Sequence, residues 1–296
     1  QPSAYVLFLG TGTSEYVPRM SCLTNTDPND EICQTCFEAA KPNSKSRRRN
    51  CSILISKRTD PDERARNVLI DCGKSFYDSC LNFFPPNQIR VIDSIVLTHQ
   101  HADHMMGGLD DARDFTLNLK ETKHKPLPIY LNAQTMERVE QVYPYIVDSR
   151  TAQSIVPKCS FITIDPKLPF QAANIRLIPL QVEHGSIYAL GFRFGDVSYI
   201  PDVSRIPEEV MELMKGTKVL IIDALNPVGK NKTHFCLDDA LETAKQLKPE
   251  KVYLVDMTHR WKVHEEANAE LAQLDLGFSV ELAFDGLKID VSHLGV

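Results

Sequence analysis

Short apolar runs along the chain, with strands and helices alternating in its second half, predict an α/β domain of two packed sheets with helices outside. The 296 residues contain no low-complexity linker and no internal repeat, so one domain is expected over residues 1–296.

The strand signals are rich in Val, Ile, Leu, Phe and Tyr and are bounded by Gly, Pro, Asn or Asp. They begin at Tyr5–Leu9 and Ser52–Ser56. A polar hairpin loop from Thr59 to Arg66 then leads to Asn67–Ile70, followed by Ser94–Thr98 and Ile129–Leu131. Ile175–Leu180, Ala189–Phe194 and Val197–Ile200 come next, the last two joined by Gly195-Asp196, a tight-turn pair. Val219–Ile222, Val252–Leu254 and Ser279–Ala283 complete the set. Helical periodicity covers Thr135–Val142, Pro207–Met214, Leu237–Leu247 and His264–Gln273. Pro207 suits a first turn, and Asp238, Asp239 and Glu242 complement a helix N-terminus. The polar stretch Pro28–Arg49 reads as a loop or insertion, its closing basic run Lys45–Arg49 as a solvated face.

Lys and Arg number 33 against 39 Asp and Glu, a net charge of −6, which argues against a protein that coats nucleic acid. The longest apolar run, Ala4–Leu9, is far short of the ~20 residues that span a bilayer, and no secretory signal is visible. Eight cysteines are too few for a disulfide scaffold and suit a reducing, cytoplasmic setting. Cys72, Cys80, Cys159 and Cys236 read as small hydrophobes.

The chemistry is concentrated in Val96–His104, where an apolar strand runs into three imidazoles and a carboxylate. His99 and His101 converge if the strand end curls, while Asp103 and His104 can serve a second ion. Imidazole nitrogen with carboxylate oxygen is the donor chemistry of Zn, Mn and Fe sites. Gly107-Gly108 allows a close turn beneath.

His99-x-His101-x-Asp103-His104 resembles the signature of the metallo-β-lactamase superfamily, which implies a four-layer αββα sandwich. The resemblance continues in order through Asp71 of Leu69–Gly73, His184 of Val182–Gly185 and Asp202 of Tyr199–Ser204. Within the superfamily, Gly10–Ser14 with Val17-Pro18, the cysteines Cys22, Cys33 and Cys36, Thr233-His234-Phe235 and Val255–His259 resemble PhnP-type phosphoribosyl cyclic phosphodiesterases. The implied first metal set is His99, His101 and His184. The implied second set is Asp103, His104 and Asp256, bridged to the first by Asp202. Asp256 stands where the family has His, which implies a harder, more oxygen-rich second site.

Cys22, Cys33, Cys36 and His259 are implied ligands of a structural zinc in a loop and insertion at about 22–50, with Cys51 left as a spare. Asp71 and Asp223 are expected to support the ligands from outside, and Trp261 reads as packing. The implied activity is hydrolysis of a small, possibly cyclic, phosphodiester by a metal-bound hydroxide, on one or two Zn or Mn ions. His234, with Asp103, is the implied catalytic group, protonating the leaving oxygen or holding the phosphate. The alternatives are a tRNA 3′-end nuclease, lactonase or thioesterase of the same fold, or a metal-binding protein whose catalysis is impaired by Asp256. The expected partner is a small-molecule phosphodiester, not nucleic acid or a membrane, with homodimer formation left open.

Overall fold

The computed structural model describes residues 2–27, 33–117 and 125–296. Six strands follow one another into a first sheet: β1 (Ala4–Gly10), β2 (Ser52–Lys57), β3 (Arg66–Ile70), β4 (Ser94–Val96), β5 (Leu127–Leu131) and β6 (Cys159–Thr163). Seven build a second: β7 (Phe170–Ala172), β8 (Ile175–His184), β9 (Ile187–Phe194), β10 (Val197–Ile200), β11 (Val219–Asp223), β12 (Lys251–Val255) and β13 (Ser279–Leu282). The last strand, β14 (Lys288–Asp290), returns to pair with β1, giving the orders β14-β1-β2-β3-β4-β5-β6 and β13-β12-β11-β10-β9-β8-β7. Strands β3 to β6 are parallel, as are β10 to β13, and the remaining pairs are antiparallel.

Helices α1 (Met20–Leu23) and α2 (Gln34–Ala39) lie in the expected insertion. The first sheet is followed through α3 (Phe76–Asn87), α4 (Ala102–Met105), α5 (Gly108–Asp111), α6 (Arg113–Leu117), α7 (Ala133–Val142) and α8 (Pro144–Val147). The second carries α9 (Glu208–Met214), α10 (Leu237–Leu247) and α11 (His264–Leu271).

Alternation within each strand builds the four layers. In β1, Val6 and Phe8 enter the core between the sheets with Ile55, Ile70, Phe192, Tyr199 and Ile221. Leu7 and Leu9 point the other way and meet Phe76, Phe84 and Leu109 of the helical layer. On the far side, Leu220, Ile222 and Leu254 pack against Val210, Ala244 and Leu271. Strands covered on both faces read as continuous apolar runs, which is why they are legible in sequence.

Several expectations are corrected. Helix α3 is not among the helices expected from the sequence; its Pro85-Pro86 pair falls in the last turn. Strands β7 and β14 have three residues each, and β6 is a half-exposed edge strand with little apolar pattern. The basic run is only in part a solvated face: Lys45 and Arg47 are exposed, but Arg48 and Arg49 are buried. Arg48 donates to the Ala283 carbonyl and Thr11, and Arg49 pairs with Asp285 and Asp78. Pro28 of the insertion and His124 lie outside the described residues. Among the described residues, no helix is long and apolar enough to cross a membrane.

Candidate metal centre

Strands running in the same direction bring their C-terminal ends to one rim of an α/β sandwich, where sites are usually built. Asp71 follows β3, His99 and His101 follow β4, and His104 lies in α4. From the second sheet, His184 ends β8, Asp202 follows β10, Asp223 ends β11 and Asp256 follows β12. The close approach between the strand-end segments depends on glycine. A Cβ on Gly73 would lie 1.6 Å from the Asp103 carbonyl oxygen, and one on Gly108 would lie 2.3 Å from that of Cys72.

His99, His101 and His184 come together. His101 Nδ1 lies 2.8 Å from His99 Nε2 and 3.3 Å from His184 Nε2. Burial lowers the pKa of all three rings, so neutral imidazoles aim their nitrogens at one point. Their tautomers are set from behind. His184 Nδ1–H donates to the Thr233 carbonyl at 2.6 Å, leaving Nε2 as the acceptor. Asp71 accepts the Thr98 amide at 2.8 Å and the Thr98 hydroxyl at 2.9 Å. The same hydroxyl oxygen, its proton committed to Asp71, accepts from His99 Nδ1–H at 2.9 Å. Asp71 also accepts from His104 Nδ1–H at 2.8 Å. One buried carboxylate thus sets two rings. Thr98 and the Thr233 carbonyl were not singled out in the sequence; the signal for Thr98 is its place beside His99 at the end of an apolar strand.

His104 Nε2 faces Asp202 Oδ2 at 3.1 Å and Asp103 Oδ2 at 3.4 Å. His104 Nε2 and Asp202 Oδ2 are buried without a hydrogen bond. Two such orphaned atoms on one line of sight are costly unless a cation lies between them. The other Asp202 oxygen lies 3.9 Å from His184 Nε2, so this carboxylate reaches both groups. Burial opposes a charge on His104, but Asp202, Asp71 and Asp103 outweigh it and draw positive charge to this point, which a divalent cation would supply with the ring ligating as a neutral imidazole. Burial likewise opposes ionisation of Asp103, but His104 outweighs it and brings that carboxyl down to about 2. A surplus of carboxylates with converging imidazoles fits bound divalent cations.

His234 occupies the open side of the same rim. Its Nδ1 lies 2.9 Å from Asp223 Oδ2, 3.0 Å from Asp256 Oδ2 and 3.9 Å from Asp202 Oδ1. The donor atoms of Asp223, His234 and Asp256 lie within 4.8 Å of one another, as do those of His99, His104 and Asp202 and those of His184, Asp202 and His234.

A second cluster lies in the insertion. Cys22 and Cys33 place their sulfurs 3.5 and 3.3 Å from His259 Nδ1, and Cys36 completes a group whose donor atoms all lie within 4.8 Å of one another. Four donors of this kind make a closed tetrahedral set. Thr35 of α2 donates to the Trp261 carbonyl at 2.6 Å, tying this loop to the segment after β12. Trp261 is packed in the second sheet's outer core, its indole N–H on the Ala224 carbonyl. Cys51 is buried elsewhere, 3.5 Å from the Tyr199 hydroxyl. A groove of about 1,010 Å³ along α3 and α6, lined by Phe76, Leu81 and Phe115, shares no residue with either cluster.

Residues 66–257 match the model of the β-lactamase superfamily domain. The chain is 30% identical to a diphosphatase of the PhnP family of known structure, over 97% of this chain and 96% of that one, with a TM-score of 0.77. Zn-bound PqqB from Methylobacterium extorquens, 17% identical, covers 97% of this chain and 99% of its own with a TM-score of 0.66, a likeness of fold. An octanoyltransferase of Porphyromonas gingivalis is 26% identical over 290 residues, 98% of this chain. This chain spans only 52% of that relative's length. With the fold, the imidazoles and carboxylates at the strand ends and these matches together, the chain belongs to the metallo-β-lactamase superfamily and, within it, to the PhnP family.

Proposed function

We propose that the protein is a metal-dependent hydrolase of small phosphodiesters. The observation that carries this reading is Asp202, which directs one oxygen to His104 and the other towards His184, so that two donor sets share one carboxylate. Paired ions a few ångströms apart suit displacement at phosphorus. His99, His101 and His184 would hold the first ion, and His104, Asp103 and Asp202 the second. Divalent cations at these positions supply Lewis acidity that activates water and offsets charge on the phosphoryl oxygens. The chain's own groups do the rest. His101 is exposed where its two partner rings are buried, which leaves the substrate side open. His234 presents its second nitrogen to the leaving oxygen and delivers a proton there. The Cys22, Cys33, Cys36 and His259 set suits structural zinc, and the nitrogen- and oxygen-lined rim suits Zn or Mn.

A second reading, hydrolysis of a phosphoric anhydride, is favoured by the PhnP-family diphosphatase at 30% identity. The test is turnover of bis-p-nitrophenyl phosphate and of a nucleoside diphosphate ester by protein reconstituted with Zn or Mn, beside His101→Ala and Asp202→Asn. Phosphodiester hydrolysis lost in both variants is expected. Equal rates for wild type and His101→Ala would exclude the reading. Turnover of an octanoyl thioester and of no phosphoester would point instead to the acyl chemistry named for the Porphyromonas gingivalis relative.

A further inference from the structure

We propose that Asp256 is a positioning residue for His234 and not a ligand of the second ion; the proposal rests on the hydrolase reading only for what His234 protonates. Strand β12 ends at Val255, and Asp256 leaves it with φ +59. In that left-handed turn its carboxylate Oδ2 lies 3.0 Å from His234 Nδ1. Asp256 is 1% exposed, and Asp223, whose Oδ2 lies 2.9 Å from the same nitrogen, is 0% exposed.

The first sheet contains the same device. Asp71 follows β3 with φ +65, and its Oδ2 lies 2.8 Å from His104 Nδ1. Both aspartates step off the C-terminal end of a parallel strand in a left-handed backbone, a conformation that Asp tolerates better than most residues. Both bring Oδ2 to the Nδ1 of an imidazole on the rim. Asp71 holds its histidine from behind, and the matching geometry assigns Asp256 the same work.

The chemistry of the ring supports this. Nδ1 carries at most one hydrogen; it is donated to Asp223 Oδ2 at 2.9 Å, while Asp256 Oδ2, buried without a hydrogen bond of its own, faces the same nitrogen at 3.0 Å. A lone pair on Nδ1 would face both carboxyl oxygens. The Nδ1 hydrogen is therefore retained, and it is the Nε2 hydrogen of the imidazolium form that is left to pass to the substrate. The surrounding carboxylates are at most 3% exposed, while the His234 side chain keeps 16% exposure. The ring is braced edge-on against His184, with centroids 4.7 Å apart. On this assignment the second ion keeps three side chains, Asp103, His104 and Asp202.

The experiment uses the whole chain loaded with Zn, as wild type and as Asp256→Asn. Bound metal per chain is counted after equilibrium dialysis, and the His234 ring is followed by long-range ¹H–¹⁵N NMR, with kcat and KM measured alongside. Asp256→Asn should keep the wild-type number of ions, change the His234 tautomer signature and lower kcat roughly 10- to 100-fold with KM little changed. One ion fewer in Asp256→Asn, or an unchanged His234 signature, overturns the proposal. If that variant does not fold, the wild type decides: loaded protein in which His234 carries no Nδ1–H also overturns it. Wild type that turns over no phosphoester refutes the hydrolase reading, while the metal count and the ring signals still decide the role of Asp256.

Discussion

Replacing Asp71 by Asn changes no volume but reverses the sense of the hydrogen bonds that set two metal-facing rings. The amide oxygen can still accept the Thr98 N–H, now made at 2.8 Å. The amide NH2 must then stand where Oδ2 accepts from the Thr98 hydroxyl at 2.9 Å and from His104 Nδ1 at 2.8 Å. A donor there drives the His104 hydrogen to Nε2, against Asp202. It also frees the Thr98 hydroxyl to donate to His99 Nδ1, moving that hydrogen to the Nε2 that faces His101. Two hydrogen bonds to a charged acceptor are lost in a fully buried setting, each worth ~1.5–3 kcal/mol, so a destabilisation of about 3–6 kcal/mol is expected. At ~2–4 °C per kcal/mol for a large domain, Tm should fall by roughly 10 °C. Metal affinity should weaken about 10- to 100-fold, as when a partner behind a ligand is removed. Differential scanning calorimetry and competition against a chelator read the two effects separately. An Asp71→Asn protein that melts with the wild type and binds both ions with unchanged affinity refutes the tautomer argument.

Three further outcomes are expected. Zinc at Cys22, Cys33, Cys36 and His259 should survive brief EDTA treatment, and Cys33→Ser should lose it, as metal analysis will show. Gly108→Ala should cost at least about 2 kcal/mol in denaturant unfolding, because its Cβ would stand 2.3 Å from a backbone oxygen with nowhere to move. Burial, then Arg48 and Lys45, lower the His264 pKa from 6.5 to about 3. The unfolded chain therefore takes up the proton first, and stability that is complete above pH 6.5 is lost as pH falls from there towards 3. The loss is at most about 1.4 kcal/mol per pH unit, and His264→Phe should reduce the slope between pH 6.5 and 5; an unchanged slope counts against it.

What was legible in sequence follows from burial. Strands such as β1 and β11, covered on both faces, declare themselves by composition, and the candidate donors cluster because strand ends are where a sandwich gathers polar groups. Less legible were features whose cause lies across the fold. Arg48 and Arg49 resemble a surface run until Asp285, more than 230 residues on, is brought beside them. Thr98 looks like an ordinary strand residue until Asp71 and His99 stand on either side of its hydroxyl. Local pattern places Asp256 at the rim, but only the backbone turn after β12 determines which of its neighbours it faces.

The rim draws His99, His101, His104 and Asp103 from one sheet and His184 and Asp202 from the other. An ion held by both groups is a cross-link between the two halves of the sandwich. The sheets cannot part without breaking coordination, and the ion cannot leave while both halves keep their grip. Loss of metal and opening of the sandwich become coupled events, so resistance to chelation should rise with conformational stability. At a free metal concentration 100 times the dissociation constant, the linkage adds about 2.7 kcal/mol to the folded state.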